Sequence, residues 1–583
     1  MDRKEYMREY KRRYRAAKQI DKQDGDGFLS LSCLPVEEAD KRGRGDINGW
    51  ALIFENGTDI LTGKDLSSLL TAFNAVKTKN TVYVCNLKVW GRFFLVEAGR
   101  RGLTLSDSTA KKNTYKVSVN ATGDWLGFEI NLDGNRTFIK SFSEIIRVPL
   151  NKAFFDFCGQ ILAPDADNDQ IAAAMKKIMI ALRQSLKRLS GGIAFKANTI
   201  SGLSQKFLEI IAGNGCPEYG RELYKKTFPP LEKEIGDELR AAKVYRSGWN
   251  WLNPDAKEYT GDGYVLDVHS FYPSIYSEFL PFGKPERMLF YYTDATYIFE
   301  DEDPDDYRIY KIMELFATLK DGGVPTIQII NETGTEYLTE INYNEGEPFF
   351  LDTFDIMTLE KNYNVRYLTV EYCYRFKEKR HDFLQYFVEK LYREKDAGAG
   401  TAQGATAKYL LNSLSGRFGI NSYQTNVDIL KNKSYTGEKV YVGERGYLPA
   451  AIYINSKGRY LISTLAQKCY GLDIFLYSDT DSIIIKGDDI PKFLRDHIGD
   501  GLGQLSVKRF TESRFFGQKC YGLKYLDGWK WTVAGASPAM LKELGKDVEA
   551  GQVLKGGVVP KVYPNGTIAF KEREFTIARN MIF

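Results

Sequence analysis

The chain has 583 residues, too many for one hydrophobic core, so several subdomains are expected. Hydrophobic residues make up 43% and charged residues 27%, ordinary values for a globular protein, and no apolar run approaches the length that crosses a bilayer. The net charge of +4 does not mark a nucleic-acid binder; seven scattered Cys and only three His argue for a reducing compartment and against a Cys/His zinc site. Any metal would be held by carboxylates, which points to a hard ion such as Mg²⁺.

In chain order, the first element is the charged stretch MDRKEYMREYKRRYRAAKQ, which lacks the apolar segment of a secretory signal. Its Lys, Arg and Tyr suit an arm that grips phosphates and equally suit a solvated amphipathic helix. GWALIF, TVYVCNL and YKVSVN read as strands, and DLSSLLTAFNAV as an amphipathic helix. Together they predict an α/β domain ending near residue 200, its last helix QIAAAMKKIMIALRQSLKRL, punctuated by Ser190-Gly191-Gly192. The strand-like GYVLDV leads into HSFYPSIY, and a Tyr- and Phe-rich insertion follows over about 280–380. Residues 382–396 predict a helix, AGAGTAQGA a loop, TAKYLLNSLSGRF a second helix, and about 420–447 a polar strand-and-turn segment.

After a further helix, SKGRYLISTLAQKCY, comes LYSDTDSIII, where Asp479 and Asp481 interrupt a run that reads as buried strand. A polar hairpin tip facing solvent is one reading. A hairpin presenting acids to a metal is the other, because unpaired buried carboxylates are costly. Two further segments favour the second. Asp267 stands at the end of an apolar strand, and Lys408, Asn412 and Gly416 are four residues apart on one helical face. Phosphoryl transfer can be run by two Mg²⁺ ions about 3.5–4 Å apart, bridged by carboxylates from separate strands, a role that fits Asp267 and Asp479. Lys408 would bind a triphosphate, and the ring of Tyr272 would block a ribose 2′-OH.

In this order, D-x-x-S-F-Y-P-S-I, K-x-x-x-N-S-x-x-G and Y-x-D-T-D-S resemble motifs A, B and C of the family B DNA polymerases. YRSGWNWLN at 245–253 resembles the Y-x-G-G element of the protein-primed bacteriophage subgroup, and QKCY at 518–521 the K-x-Y motif. The resemblance implies an α/β multidomain, right-hand architecture: palm, fingers and thumb behind an N-terminal RNase H-like exonuclease-type domain. It implies a basic arm over 1–24, an inactive exonuclease-like domain over 25–200 and a first palm segment over 201–279. Terminal-protein region 1 would fill 280–380, the fingers 381–419, and terminal-protein region 2 420–447. A second palm segment would span 448–535 and the thumb 536–583.

For the site, the resemblance implies that Asp267 and Asp479 hold metal, with Asp481 in support and the carbonyl of Val268 completing a shell. Tyr272 becomes the sugar gate, Lys408 and Lys395 bind triphosphate, and Asn412 lines the nucleotide pocket. Tyr245, Arg246 and Thr480 contact DNA, and Lys519 and Tyr521 the primer. Ser415 stands where motif B has Tyr, which puts base selection in question. Implied cofactors are two Mg²⁺ ions, replaceable by Mn²⁺. Implied partners are primer-template DNA, deoxynucleotides, a terminal protein as primer and a single-stranded DNA-binding protein, with no membrane, in a host cytoplasm. The function implied is replication of a linear viral genome by protein-primed initiation and strand displacement. Alternatives are a family B enzyme extending ordinary primers and a non-catalytic DNA-binding derivative; a reverse transcriptase would have adjacent acids in its hairpin.

Exonuclease motifs depart from the pattern. D-x-E aligns with Leu34 and Val36, and Trp90 stands at the acid position of Asn86-Leu87-Lys88-Val89-Trp90-Gly91. Only Asp165, Asp167 and Asp169 precede the last helix of the domain, without a suitable Tyr. The expectation is a polymerase without 3′–5′ proofreading, unless Asp46 or Glu55 supplies an acid.

Overall fold

The computed structural model describes residues 25–33, 47–56, 60–75, 80–106, 111–120, 125–163, 165–290, 306–331, 334–344, 346–428, 436–536 and most of 538–577. The basic arm over 1–24, Leu34, Val36 and Asp46 lie outside the described residues. No helix among the described residues is long and apolar enough to cross a membrane.

The N-terminal strands are β1 (Gly27–Cys33), β2 (Ile47–Phe54), β3 (Ile60–Gly63), β4 (Asn80–Val84), β5 (Thr104–Leu105), β6 (Thr114–Asn120), β7 (Trp125–Leu132) and β8 (Asn135–Ser141). They form one sheet in the order β6-β7-β8-β4-β1-β2-β3, with β5 beside β6. The two-residue period of β1 divides its side chains between two cores. Leu29 and Leu31 pack with helices Leu66–Ala75 and Leu87–Arg100. Phe28 packs with Met175 and Ile178 of helix Asn168–Leu189, the predicted last helix of the domain. TVYVCNL is strand only to Val84, because Asn86 caps the next helix by accepting from the Lys88 N–H.

A second sheet carries the carboxylates. Its strands are β9 (Asn250–Leu252), β10 (Gly263–Val268), β20 (Phe475–Asp479), β21 (Ser482–Lys486) and β22 (Leu505–Phe510), in the order β22-β10-β21-β20-β9. A Cβ at Gly263 would lie 2.1 Å from the Ile485 carbonyl oxygen, so only glycine lets β10 approach β21 at that end. Helices Phe271–Tyr276, Ala402–Phe418 and Leu448–Gly471 share one continuous core with this sheet and with helix Asn168–Leu189.

Between β10 and β20 the chain makes two excursions. β11 (Phe279–Leu289), β12 (Asp306–Leu319), β15 (Glu340–Tyr343), β16 (Phe349–Asp352) and β17 (Tyr363–Arg380) form a separate sheet, with the ribbon β13 (Gln328–Asn331) and β14 (Gly334–Tyr337) beside it. Much of this insertion has its own apolar core around Leu315, Ile327 and Leu368. The second excursion is the hairpin β18 (Tyr423–Asp428) and β19 (Thr436–Tyr441). It joins the N-terminal sheet through Gln424 opposite Asn120 and Thr425 opposite Val119.

The sheet with the carboxylates ends at Phe510, and β23 (Glu512–Gly517), β24 (Cys520–Tyr525) and β25 (Gly528–Val533) form a sheet of their own. Its Phe515 and Leu523 pack with Leu476 and Ile484 of the carboxylate sheet, and its Trp531 and Val533 with Leu554 and Ile577, so 512–533 bridge that sheet and the C-terminal segment.

Candidate active site

The acidic stretch is a hairpin with a two-residue tip, since Ser478 pairs with Ile483 and the next positions inward close on Thr480 and Asp481. Thr480 takes φ +65°, as a tight hairpin turn demands. Pairing sets Asp267 of β10 opposite Ser482 of β21, and the Val268 N–H donates to the Asp481 carbonyl at 2.9 Å. The tip therefore folds over the end of β10, and Asp481 comes beside Asp267.

Asp479 has a different neighbour. Strand alternation places it on the same face as Tyr477, towards the turn after β23. There the Lys519 ammonium donates to the Asp479 carboxylate at 2.5 Å, and the Lys519 N–H donates to the Tyr477 hydroxyl at 2.9 Å. The expected pair of Asp267 with Asp479 is thus not the pair that shares a cavity. A cavity of about 800 Å³ is lined by Asp267, Val268 and Asp481 with Tyr272, Lys395, Lys408 and Asn412, and Asp479 is not part of its wall.

Charge in this cavity is divided between its walls. Burial, then the charges of Asp267 and Asp479, push the Asp481 carboxyl up to about 6, and burial raises Asp267 as well. Lys508 beside Asp267 and Lys519 beside Asp481 pull the other way without overcoming burial, and a divalent cation held by oxygens fits the remaining need. Among the described residues no cluster of three or more metal-binding side chains occurs, so substrate oxygens and water would complete any coordination shell. Opposite, burial lowers the Lys395 ammonium and Lys408 acts in the same direction, although Asp396 opposes them. Lys395 also donates to the Ser270 hydroxyl at 3.3 Å. Asp396 pairs with Lys395 at 3.5 Å, so the two lysines leave this wall with a net positive charge that suits an anion.

Tyr272 is half-buried, stacked on Phe271 at 5.7 Å between centroids. A Cβ at Gly458 would lie 3.3 Å from the Tyr272 ring, so that glycine allows the helix Leu448–Gly471 to brace it. Neither Gly458 nor its contact was legible in the motif pattern.

A second cavity of about 1370 Å³ adjoins the first, sharing Tyr272, Tyr409 and Asn412. Its wall includes Tyr245, Thr480 and Ser415. Arg147, Lys206, Arg221, Arg417 and Arg445 line it against a single carboxylate, Glu209. Gly248 touches the acidic hairpin so closely that a Cβ there would lie 2.6 Å from the Thr480 methyl.

Arg246 corrects the expectation of a DNA contact. Its side chain is 3% exposed; it donates to Asp355 at 2.9 Å and to the Phe350 carbonyl at 2.6 Å. Arg459 donates to the other Asp355 oxygen at 2.9 Å, so one buried carboxylate binds two guanidinium groups from different segments. Tyr521 is half-buried, its ring 5.1 Å from Tyr477 and 5.8 Å from Phe515. Trp90 is half-buried near the start of helix Leu87–Arg100, 5.7 Å from Phe93. Glu55 ion-pairs with Arg183, which also holds Asp26.

A family model described as DNA polymerase type B, organellar and viral, matches residues 171–498. The DNA polymerase of Bacillus phage phi29 is 29% identical over 514 residues, covering 82% of this chain and 84% of that protein. That of Bacillus phage M2 is 28% identical over 553 residues, covering 85% and 90%. A solved structure of phi29 DNA polymerase complexed with primer-template DNA superposes with TM-score 0.77 at 25% identity, covering 95% of this chain and 100% of that one. An orthorhombic crystal form of phi29 DNA polymerase, at 24% identity and TM-score 0.79, has the same fold. With the three motifs around one cavity and more than half its length matched by that model, the chain belongs to the organellar and viral type B DNA polymerases.

Proposed function

We propose that this DNA-directed DNA polymerase copies a linear viral genome, adding deoxynucleotides in the cavity between Asp267, Asp481 and Lys408 and starting on a protein hydroxyl. The carrying observation is that one cavity joins two carboxylates with raised pKa values, a pair of lysines and the ring of Tyr272.

Asp267 and Asp481, with the Val268 carbonyl, would hold Mg²⁺ or Mn²⁺; when bound, the ions lower the pKa of the attacking hydroxyl and offset charge on the leaving pyrophosphate. Lys408 and Lys395 draw the triphosphate into line. Tyr272 closes the space beside C2′, excluding ribonucleotides. Lys519, held by Asp479, sets the primer terminus, and Asp479 thereby acts through a lysine. The cationic second cavity suits a single template strand, with Tyr245 and Thr480 nearest the reacting pair. Ser415 leaves the wall there open where motif B has a ring.

Support for protein priming comes from the relatives, which are phage polymerases, and from the two excursions, each a folded unit beside the cleft. A terminal protein would dock on these excursions, and a single-stranded DNA-binding protein would cover the displaced strand. The test is nucleotide transfer from labelled dATP and Mg²⁺ to the proteins encoded beside the gene. A labelled protein adduct that requires Asp267 supports the reading, and extension of DNA primers alone supports the simpler polymerase.

A further inference from the structure

The position that sequence comparison assigned to the first exonuclease motif, Leu34 and Val36, follows β1 in the chain and lies outside the described residues. The strand itself presents another pair in D-x-E spacing. Ser30 and Ser32 of β1 are two residues apart and so share a face. It is the face of Phe28, towards helix Asn168–Leu189. At the first turn of that helix stands Asn168. The Ser30 hydroxyl donates to the Asn168 side-chain oxygen Oδ1 at 2.7 Å, and the Asn168 Nδ2 donates to the Ser32 hydroxyl at 3.0 Å. Ser32 in turn reaches the Gly49 carbonyl at 3.3 Å. A Cβ at Gly49 would lie 2.8 Å from the Ser32 hydroxyl, so β2 leaves room for this contact.

We propose that Ser30, Ser32 and Asn168 form a neutral, hydrogen-bonded triad in place of the metal-binding acids of an exonuclease, so that this polymerase extends primers without excising them. The triad joins a two-residue strand motif to a helix N-terminus, the arrangement that three acids from separate motifs need to share a metal. Each member is uncharged. The network satisfies its own donors and acceptors, and it neither needs nor attracts a divalent cation.

Three acids near this point are otherwise engaged. Asp167 caps the helix, its carboxylate accepting from the Gln170 N–H at 2.8 Å. Asp26 and Glu55 are both ion-paired with Arg183. Asp169 belongs to no cluster of three or more metal-binding side chains among the described residues. The second motif carries an indole at Trp90, which cannot ligate Mg²⁺. The loss is thus written twice, once in the triad and once in the helix Leu87–Arg100.

The test has two arms. The full chain is incubated with a 3′-mismatched primer and Mg²⁺ or Mn²⁺, without nucleotides. No shortening is expected while matched primers are extended normally when nucleotides are added. Mismatch excision that persists in D267N/D481N overturns the proposal. In the second arm, S30D/S32E/N168D is built in the D267N/D481N background, and Mn²⁺ binding is read by electron paramagnetic resonance. At least one additional bound ion relative to the background chain is expected; no additional ion would show that the triad does not mark a former metal site. S30D/S32E/N168D with Asp267 and Asp481 intact controls for folding by its primer extension. If that triple variant does not fold, S30D alone is carried through the same measurement.

Discussion

At the scale of single residues, the two acids of the hairpin are not equivalent. Asp481 shares a cavity with Asp267, whereas Asp479 is ion-paired with Lys519. Asp267→Asn or Asp481→Asn should lower nucleotide addition on the order of a thousandfold, since the residual carboxylate cannot hold two ions. Asp479→Asn should lower it far less and mainly raise the primer-terminus KM, because Lys519 keeps its backbone bond to Tyr477. Single-turnover kinetics on one primer-template separate these cases; equal losses for Asp479 and Asp481 would reverse the assignment. Tyr272→Val should increase ribonucleotide incorporation by more than it reduces deoxynucleotide incorporation, measured as the ratio of kcat/KM values. The motifs made all four positions legible in the chain. They could not rank the two hairpin acids, because the ranking depends on a turn at Thr480 and on a lysine 40 residues downstream of Asp479.

At the scale of elements, the insertion is tied to the catalytic sheet by charge as well as by apolar packing. Asp355, in the first turn of helix Thr353–Asn362, holds Arg246 from the segment before β9 and Arg459 from helix Leu448–Gly471. The Asn455 amide of that same helix donates to the Arg246 carbonyl at 2.7 Å, which fixes the loop carrying Tyr245 and Gly248. Asp355→Asn leaves two buried guanidinium groups short of countercharge and should cost about 3–5 kcal/mol of stability, read by chemical denaturation. A change below about 1 kcal/mol would show that the pair merely breaks even. Arg246 was read as a DNA contact because YRSGWNWLN resembles the Y-x-G-G element of the protein-primed subgroup. Its partner lies 109 residues away inside an insertion with no motif of its own, and no local pattern announces such a contact. The regular elements fared better: apolar alternation and helical spacing marked β2, β10 and helix Asn168–Leu189, whose faces meet large cores.

The hairpin β18–β19 is anchored at its base. Arg240 ion-pairs with Glu444 and donates to the Ser422 hydroxyl at 2.7 Å, and Tyr423 donates to Asp237 at 2.8 Å. Shortening the hairpin between 425 and 439 spares these anchors. Strand displacement on a nicked duplex should then fall more than single-nucleotide addition on an open primer-template. Equal loss of both would show that the hairpin only supports the fold.

At the scale of the whole molecule, the pairing of β18 with β6 has a topological meaning. The cationic cavity is walled by Arg147 and Asn198 of the N-terminal region, by helix Ala402–Phe418, and by Asn421 and Tyr423 at the hairpin base. Where Gln424 meets Asn120, a backbone clasp joins the hairpin to the N-terminal sheet. A strand lying under that clasp would be linked to the protein as thread is to a needle's eye. A linear molecule can enter by its end, but a covalently closed circle must wait for the clasp to part. The clasp is two residue pairs long, so transient opening is cheap, on the order of a few kcal/mol. Asn120 and Gln424 are cross-strand partners, close enough for a disulfide between cysteines placed there. Oxidised N120C/Q424C should copy linear single strands at the normal rate yet fail to load on primed circles, and reduction should restore loading. Such an enzyme, once threaded, could leave its template only by running off the end.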